Sequence, residues 1–297
     1  MKPDKLSSTA LVIAASTLFL GREAQGAHLV SREAADYCTQ FLRAAGPLAR
    51  RIPHLVESGW FRRAVRVIER ITIPGMQAHF ALRKRYVKDW VLRNLRKGYT
   101  QVVVLGAGFD TLCLELLAHR PATRFIEVDH PATQGVKLRA LAAMGVRPRN
   151  VHFAPADLAG TPLDEVLASC AGYDPSRQTL FVAEGLLMYL EADRVGGLLE
   201  CVTRHGSNRI AFTFLEPRRG GLPNFRIGSR LVDGWLNGRR ERFRWGIRRA
   251  ELGGFLASRG LRLEAVTDDR TFACADRSAP DAPAVGEYIC TAEAAPC

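Results

Sequence analysis

The sequence predicts an α/β fold in which a mostly parallel sheet, with its last strand antiparallel, follows a helical N-terminal extension. After Gly98, short apolar runs alternate with amphipathic helical patterns, as strands and helices do in a parallel sheet covered by helices. These runs are apolar at nearly every position, as in strands buried on both faces. Residues 1–98 show helical spacing only. We therefore expect a helical extension over 1–98 and an α/β domain over 99–297.

Within the extension, four segments have the spacing and end signals of helices. The first begins near Ser8, in a run of Ser and Thr residues that can cap a helix. The second lies in 31–46 and is ended by Gly46 and Pro47. The third lies in 60–75, and the fourth runs from about Met76 to Lys97, with Gly98 in a position that favours a left-handed turn.

The α/β part alternates strand and helix patterns up to its last two strands. No helical pattern separates those two, so we expect the last to insert antiparallel. Two stretches, 216–246 and 268–285, read as surface loops, and the first is long enough to act as a lid over a substrate. The predicted strands are 101–105, 124–128, 151–153, 179–183, 209–214, 261–266 and 286–291, and the predicted helices lie near 110–119, 132–144, 162–170, 192–205 and 248–259.

Composition excludes several classes of protein. With 47% hydrophobic residues among 297, the chain can bury a sizeable core, which excludes global disorder. No apolar run reaches the ~18 residues of a membrane-spanning helix, and no membrane partner is expected. Seven cysteines without a CxxC pair indicate reduced thiols in a cytoplasmic protein rather than a disulfide scaffold. The histidines show no metal-site spacing, so we expect no metal.

The charge and the N-terminus each leave two interpretations open. A net charge of +12 suggests nucleic acid or an anionic substrate. Arginine outnumbers lysine 36 to 6, however, and the arginines are spread along the chain, so no nucleic-acid partner is expected. The first 27 residues imitate a cleaved secretory signal. A core helix explains the same segment equally well, because Asp4 offsets one lysine and Arg22 and Glu23 close the apolar run.

The sharpest local feature is a glycine loop between a strand and a helix, in QVVVLGAGFDT at 101–111. Glycines in Gly106-Ala107-Gly108 let the backbone turn tightly and approach a ligand near the N-terminus of a helix. Glu127 and Asp129 end the next strand, ~20 residues on, where an acid binds the ribose of a nucleotide. This pattern predicts a nucleotide-containing cofactor.

The residues beside the loop favour S-adenosylmethionine over NAD. A dinucleotide fingerprint has a third Gly or Ala for close helix packing, where this chain has Thr111. Asp110 would repel a pyrophosphate. An adenosyl group that carries an amino acid and no phosphate avoids this repulsion.

Two further strand tips carry polar residues that suit this cofactor. Asp157 and Leu158 follow the third strand, where the acid can receive the adenine amino group and the leucine can pack on the ring. Glu184 ends the fourth strand. The carboxyl ends of strands are where open α/β sheets bind ligands.

Together these residues resemble the leucine carboxyl methyltransferase family, in its bacterial O-methyltransferase branch. The matching pieces lie between residues 79 and 190: HFALRKRYV, QVVVLGAGFDT, FIEVDHP, ADL and AEGLLMYL. The resemblance implies a class I methyltransferase with a Rossmann-like sheet, added N-terminal helices, and S-adenosylmethionine as cofactor.

The resemblance also implies roles for individual residues. Arg83 would bind the cofactor carboxylate and face the substrate, although Lys84 and Arg85 leave the register open by one or two positions. A family lysine that also binds this carboxylate has Arg43 as its nearest candidate. The implied cofactor-binding set is Arg83, Gly106, Ala107, Gly108, Asp129, Asp157, Leu158 and Glu184.

The acceptor is expected to be a carboxyl or hydroxyl oxygen of a small molecule. A carboxylate is ionised at pH 7, so Arg83 and Tyr189 would suffice to orient it. A hydroxyl would need proton removal, which His79, one helical turn before Arg83, could provide. Aromatic and arginine residues in 216–246 would suit a polyketide-like ring. They would also suit RNA bases, so an RNA-binding protein or RNA methyltransferase is the alternative.

Overall fold

A computed structural model describes residues 6–23, 26–204, 206–217, 223–225, 242–268, 271 and 285–295. The N-terminal helices are α1 Ser8–Gly21, α2 Arg32–Ala44, α3 Ile52–Glu57, α4 Gly59–Thr72 and α5 Met76–Leu95. The strands are β1 Gln101–Leu105, β2 Arg124–Asp129, β3 Val151–Pro155, β4 Thr179–Ala183, β5 Arg209–Leu215, β6 Leu261–Thr267 and β7 Glu287–Ala294. The remaining helices are α6 Leu112–Leu117, α7 Pro131–Ala143, α8 Leu163–Ser169, α9 Ala192–Thr203 and α10 Arg249–Ala257.

The strands form one seven-stranded sheet in the order β3-β2-β1-β4-β5-β7-β6. β1 to β5 pair with one another in parallel, whereas β7 lies between β5 and β6 and is antiparallel to both. The predicted mostly parallel sheet with an antiparallel last strand is therefore confirmed. Chain order reverses beside β1, because β2 lies on one side of it and β4 on the other. Open α/β sheets bind ligands at such a point, outside the carboxyl ends of the strands.

Both faces of the sheet are covered, which explains why the strand sequences are apolar throughout. In β1, Val103 and Leu105 pack in a core shared with α8, α9 and α10. Val102 and Val104 point to the other face, where they pack with Trp90 and other residues of α5. Because successive residues of a strand point to opposite faces of the sheet, a strand that is apolar at every position is buried on both faces.

The N-terminal helices share a third core with the sheet-covering helices α6 and α7. Ala10 and Leu18 of α1 pack with Phe41 of α2, Leu114 of α6 and Leu141 of α7. The apolar N-terminal segment is thus a core helix, one of the two interpretations that the sequence left open. The described chain contains no helix that is both long and apolar enough to cross a membrane.

Two predicted loops lie largely outside the described residues. Of the stretch 216–246, the structure describes 216–217, 223–225 and 242–246. Of 268–285, it describes 268, 271 and 285. Most of the arginines on which the RNA-binding alternative depended are in the undescribed part, whereas Phe225, Phe243 and Trp245 are described.

Candidate cofactor-binding site

A cavity of about 380 Å³ lies at the carboxyl ends of β1, β2, β3 and β4. Its volume is within the range of small-molecule sites. Four successive strand tips contribute to it, beside the point where the order of the sheet reverses. The predicted site residues that line it are Gly106, Ala107, Gly108, Asp129, Asp157, Leu158, Glu184 and Tyr189.

The loop after β1 has a conformation and packing that require glycine. Gly106 and Gly108 have φ values of 65° and 49°, in the left-handed region that other residues rarely adopt. A β-carbon on Gly106 would lie 2.9 Å from Cδ1 of Leu186, and one on Gly108 would lie 3.2 Å from the β-carbon of Ala10. The loop is therefore held between Leu186 and α1, with its backbone on the cavity wall.

Asp129, at the end of β2, has a carboxyl oxygen that receives no hydrogen bond from the described residues. Its Oδ2 atom is buried and has no hydrogen-bond partner among the described residues. Burial raises the pKa of Asp129 to about 7, although the backbone N–H groups of His130 and Gly108 and the charge of Lys137 act in the opposite direction. An unsatisfied buried acceptor costs about 1–3 kcal/mol. A ligand with hydroxyl donors, such as a ribose, would supply what Asp129 lacks.

Glu127, the second acid of β2, does not line the cavity. Its Oε2 atom lies 2.5 Å from Nζ of Lys137, and both side chains are 1% exposed. Lys137 also donates to the backbone carbonyl of Asp110 at 2.6 Å. Burial raises the pKa of Glu127 more than Lys137 lowers it. This pair ties β2 to α7, which leaves Asp129 as the acid of β2 that reaches the cavity.

The turn after β3 places an acid and an apolar side chain side by side on the wall. Oδ1 of Asp157 accepts a hydrogen bond from the backbone N–H of Ala159 at 3.1 Å, which holds the turn. Leu158 is 7% exposed and packs into the core below the cavity. A polar group beside an apolar surface suits a flat ring with an amino group at its edge.

Arg83 lies behind the cavity wall rather than on it. Its side chain is 2% exposed, and its guanidinium lies 2.9 Å from Oε1 of Glu184 and 2.6 Å from Oε2 of Glu287, the first residue of β7. Burial alone would raise the pKa of Glu287, but the charge of Arg83 and the contact with His79 outweigh it and lower the pKa to about 2. Arg83 therefore holds Glu184 in place instead of lining the cavity itself.

His79 and Arg43 lie away from the cavity. His79 is 2% exposed, and its Nε2 atom lies 2.8 Å from Oε2 of Glu287. Because it does not line the cavity, the structure does not bring it to an acceptor hydroxyl, contrary to the role considered for it. Arg43 is exposed near the end of α2 and does not line the cavity either.

Of the three consecutive cations in α5, Lys84 is the one on the cavity wall. Its Nζ atom lies 3.1 Å from Oδ1 of Asp110 and 3.3 Å from Oε1 of Glu184. Arg85 is exposed. Successive side chains of a helix point ~100° apart, so neighbours in sequence face different surroundings. The RKR sequence alone does not show which of them faces the ligand.

Tyr189 lies in a part of the cavity that also includes Thr9 of α1 and residues from the end of the stretch 216–246. Its hydroxyl is 3.3 Å from Oγ1 of Thr9 in α1, and its ring lies 5.4 Å from that of Phe243. Arg242 and Arg244 also line the cavity, and Arg244 is paired with Glu191. Thr9 could not have been identified from sequence, since its contact with Tyr189 spans 180 residues.

The sequence profile of the leucine carboxyl methyltransferase family matches residues 21–203, more than half of the chain. Three relatives illustrate the similarity. A protein of Parafrankia sp. (strain EAN1pec) is 38% identical over 130 residues, which are 43% of this chain and 41% of the relative. A Mycobacterium tuberculosis (strain H37Rv) protein is 36% identical over 125 residues, 42% of this chain and 35% of the relative.

The third relative, from Saccharopolyspora erythraea, is 32% identical over 201 residues, 63% of this chain and 65% of the relative. The chain thus spans less than half of the first two relatives and just under two thirds of the third. All three are provisionally named as S-adenosyl-L-methionine-dependent methyltransferases.

A solved structure with a similar fold is a magnesium protoporphyrin IX methyltransferase from Synechocystis PCC 6803 with bound SAH. It has 12% sequence identity and a TM-score of 0.49, over 74% of this chain and 85% of that one. A likeness of this size supports no conclusion about function. The family profile is sufficient for classification, and it confirms the predicted family. The chain belongs to the leucine carboxyl methyltransferase family.

Proposed function

We propose that the protein is an S-adenosylmethionine-dependent O-methyltransferase that acts on a carboxyl or hydroxyl oxygen of a small molecule. The observation that carries this proposal is the cavity at four strand tips, where the glycine loop, the unsatisfied oxygen of Asp129 and Glu184 meet. The family match supports the same cofactor and class of reaction.

The residues present fit this cofactor. Asp129 would accept hydrogen bonds from the ribose hydroxyls, Asp157 and Leu158 would hold the adenine, and Glu184 would bind the amino group. The glycine loop gives the ligand close access to the backbone. When bound, S-adenosylmethionine supplies a methyl group already activated on a positively charged sulfur. The protein's task is therefore to align the two reactants and exclude water.

The cavity residues that remain favour an oxygen acceptor with negative charge. Tyr189, Arg242 and Arg244 all offer hydrogen-bond donors, and charged donors bind carboxylates strongly. A carboxylate needs no general base at neutral pH. Because His79 is buried against Glu287, a carboxylate or an acidic phenol suits the site better than an aliphatic alcohol. The rings of Tyr189 and Phe243 would suit an aromatic, polyketide-like acceptor.

Three features of organisation belong to the same proposal. We place the boundary of the helical extension at residue 98, between α5 and β1, and we assign the protein to the cytoplasm. The stretch 216–246 would serve as a lid over the acceptor. Support for the lid comes from Arg242 and Arg244, which lie in its described end and line the cavity.

Calorimetric titration with S-adenosylhomocysteine tests the proposed cofactor directly, with NAD as the control ligand. We expect micromolar binding of S-adenosylhomocysteine and none of NAD, because the carboxylate of Asp110, on the cavity wall beside the glycine loop, would repel a pyrophosphate. Binding of neither ligand would contradict the proposal. A screen of carboxylic acids and phenols for methylated products would then define the acceptor.

Tyr189→Phe tests the acceptor end of the cavity. Loss of one hydroxyl donor should lower kcat about 3- to 10-fold, the effect of one neutral hydrogen bond. The affinity for S-adenosylhomocysteine should change less than about twofold, because the tyrosine is not assigned to the cofactor. Tyr37→Phe, a half-buried tyrosine of α2 away from the cavity, is the matched control. An unchanged kcat and KM for Tyr189→Phe would remove this residue from the acceptor site.

A further inference from the structure

We propose that helix α4 of the N-terminal extension lies in the surface of an anionic lipid bilayer, with its apolar side toward the acyl chains. This inference goes beyond the proposed methyl transfer and concerns a surface outside the cofactor site. It follows from the direction in which the apolar side of α4 points and from the arginines beside that side.

The apolar side of α4 faces away from the protein. At ~100° per residue, Trp60, Val67 and Ile71 fall within an arc of about 40°, with Ile68 at its border. These four residues, the apolar face of α4, are 68%, 61%, 65% and 56% exposed. A surface helix normally turns its apolar stripe toward the core and its charged residues toward water. In α4 this arrangement is reversed, and none of its 14 residues is buried.

Polar contacts hold the opposite side of α4 against the protein. Glu23, just after α1, has one carboxylate oxygen 2.9 Å from Nε of Arg62 and the other 2.6 Å from an η-nitrogen of Arg66. Glu69 accepts hydrogen bonds from the backbone N–H and the side-chain amide of Gln77 in α5, at 2.9 and 2.8 Å. These contacts fix the rotation of the helix, so the folded protein presents the apolar face outward.

Positive charge along one edge of the apolar face indicates the kind of surface that it fits. Arg63 and Arg70 lie one turn before and one turn after Val67, and both are exposed. Neither has an ion-pair partner in the part of the chain that the structure describes. Arginines on the polar side of a helix and a tryptophan on its apolar side are typical of helices that lie in a membrane surface. Lipid phosphates would face Arg63 and Arg70 while the apolar face enters the acyl region.

A second copy of this chain fits the same surface less well. Two α4 helices packed through their apolar faces would bring Arg63 and Arg70 of both copies together, and like charges repel. The nearby acids Glu23 and Glu69 already bind partners within the protein. An anionic bilayer supplies both the apolar interior and the negative charge that this surface lacks.

Contact with one leaflet of a bilayer replaces the expectation of no membrane partner. That expectation came from the lack of an apolar run of ~18 residues, which bears on helices that span a bilayer. A helix in the bilayer surface needs only one apolar face, which enters the headgroup and acyl boundary by ~5–10 Å. The cytoplasmic leaflet is the anionic one, in keeping with the compartment assigned above.

Co-sedimentation of the full chain with vesicles tests the proposal. Wild type should bind vesicles of phosphatidylglycerol and phosphatidylcholine in equal amounts at least about 10-fold more tightly than pure phosphatidylcholine, since each arginine near an anionic surface contributes about fivefold. Val67→Gln combined with Ile71→Gln should bind the anionic vesicles at least about 10-fold more weakly, because two apolar side chains no longer enter the acyl region. The matched control, Leu138→Gln with Met144→Gln, changes two exposed apolar residues in and just after α7 and should bind as wild type does.

A second pair of variants tests the local charge. Arg63→Gln with Arg70→Gln should weaken binding to the anionic vesicles about 10- to 30-fold. Arg147→Gln with Arg149→Gln lowers the net charge equally at exposed positions after α7 and should weaken binding less than about threefold. The fluorescence of Trp60 adds a direct readout, because its emission should shift to the blue on the anionic vesicles and Trp60→Phe should abolish this shift. All these positions are exposed, so thermal midpoints should stay close to that of wild type.

Three results would each overturn the proposal. The first is failure of wild type to bind the anionic vesicles. The second is undiminished binding by Val67→Gln with Ile71→Gln, which would show that the net charge of +12 alone attracts the protein to lipid. The third is a lipid-free wild-type dimer, seen by sedimentation velocity, that the same double variant converts to a monomer, since the apolar face would then belong to a contact between two copies.

Discussion

Asp129→Asn is expected to weaken binding of S-adenosylhomocysteine by ~1.5–3 kcal/mol, about 10- to 100-fold, because a charged acceptor for the ribose hydroxyls becomes a neutral amide. Oδ2 of Asp129 has no donor among the described residues, so a ligand is the group that would satisfy it. An amide can accept at one atom only, and its NH₂ group would face a hydroxyl pair that needs acceptors.

The pKa of Asp129 makes the same interaction depend on pH. Burial raises this pKa to about 7, and a bound ribose favours the ionised carboxylate. Wild-type affinity should therefore rise about 10-fold from about pH 6 to above pH 7, and it should then level off. Asparagine does not titrate, so the affinity of Asp129→Asn should change little over this range.

In the ligand-free protein, by contrast, the same carboxyl should make the folded state less stable as pH rises. Since the pKa of Asp129 rises from 3.8 in the unfolded chain to about 7 in the folded one, the unfolded state releases this proton first as pH increases. Folding becomes less favourable between about pH 4 and 7, by up to ~4 kcal/mol for complete deprotonation. Asp129→Asn should therefore gain stability relative to wild type across this window.

Chemical denaturation and calorimetry of the same samples, at several pH values, check both consequences. Asp89→Asn, an exposed acid of α5, is the matched control and should leave the binding affinity and the free energy of unfolding unchanged. An unchanged dissociation constant for Asp129→Asn would exclude this residue from the cofactor site. An unchanged stability difference between about pH 4 and 8 would show that the carboxyl has an ordinary pKa in the folded protein.

The fold could be predicted closely from the sequence because its signals are local. β1 and β4 have the predicted bounds, 101–105 and 179–183, since each is an apolar run that ends at a glycine or an acid. No helical pattern separates the last two predicted strands, which favoured an antiparallel last strand, and β7 is antiparallel to both of its neighbours. Most of the predicted cavity residues could likewise be identified from their positions at the ends of strands, because parallel strands bring their carboxyl ends to one edge of the sheet.

The partners of the charged residues could not be predicted, because they depend on contacts distant in sequence. Glu127 and Asp129 are two positions apart, yet one is neutralised by Lys137 on α7 and the other faces the cavity. Arg83 is held by Glu287, 204 residues further along the chain. The resemblance to a family therefore indicated that α5 supplies a cation, but only the three-dimensional arrangement separates Arg83 from Lys84.

Arg83→Met is expected to destabilise the protein by ~3–5 kcal/mol at neutral pH, the usual effect of removing one partner from a buried ion pair. The substitution keeps most of the volume of the side chain, but it leaves Glu184 and Glu287 without their shared guanidinium. Glu184 would then keep Lys84 as its remaining ion-pair partner among the described residues and would be held less firmly at the cavity, so cofactor affinity and turnover should fall as well.

The stability lost in Arg83→Met should become smaller as pH falls, because it depends on the charge of Glu287. The folded-state pKa of this carboxyl is lowered from 4.5 to about 2, because Arg83 and His79 outweigh the effect of burial. Its contribution to wild-type stability is therefore present above about pH 4.5 and lost as pH falls toward 2. A protonated Glu287 no longer needs a cation, so the difference between wild type and Arg83→Met should narrow over this window.

Two further variants separate this charge effect from a general loss of packing. Arg83→Met combined with Glu287→Gln should recover part of the stability, since it removes one of the stranded carboxylates, whereas Arg85→Met, at the exposed neighbouring position, should leave stability nearly unchanged. Denaturation midpoints at about pH 7 and pH 3 give the comparison. A double variant less stable than Arg83→Met alone would contradict the ion-pair explanation. If instead Arg85→Met proved the more damaging single variant, the cation that organises Glu184 would be two positions further along α5, and Glu287 would have to be held by His79 alone.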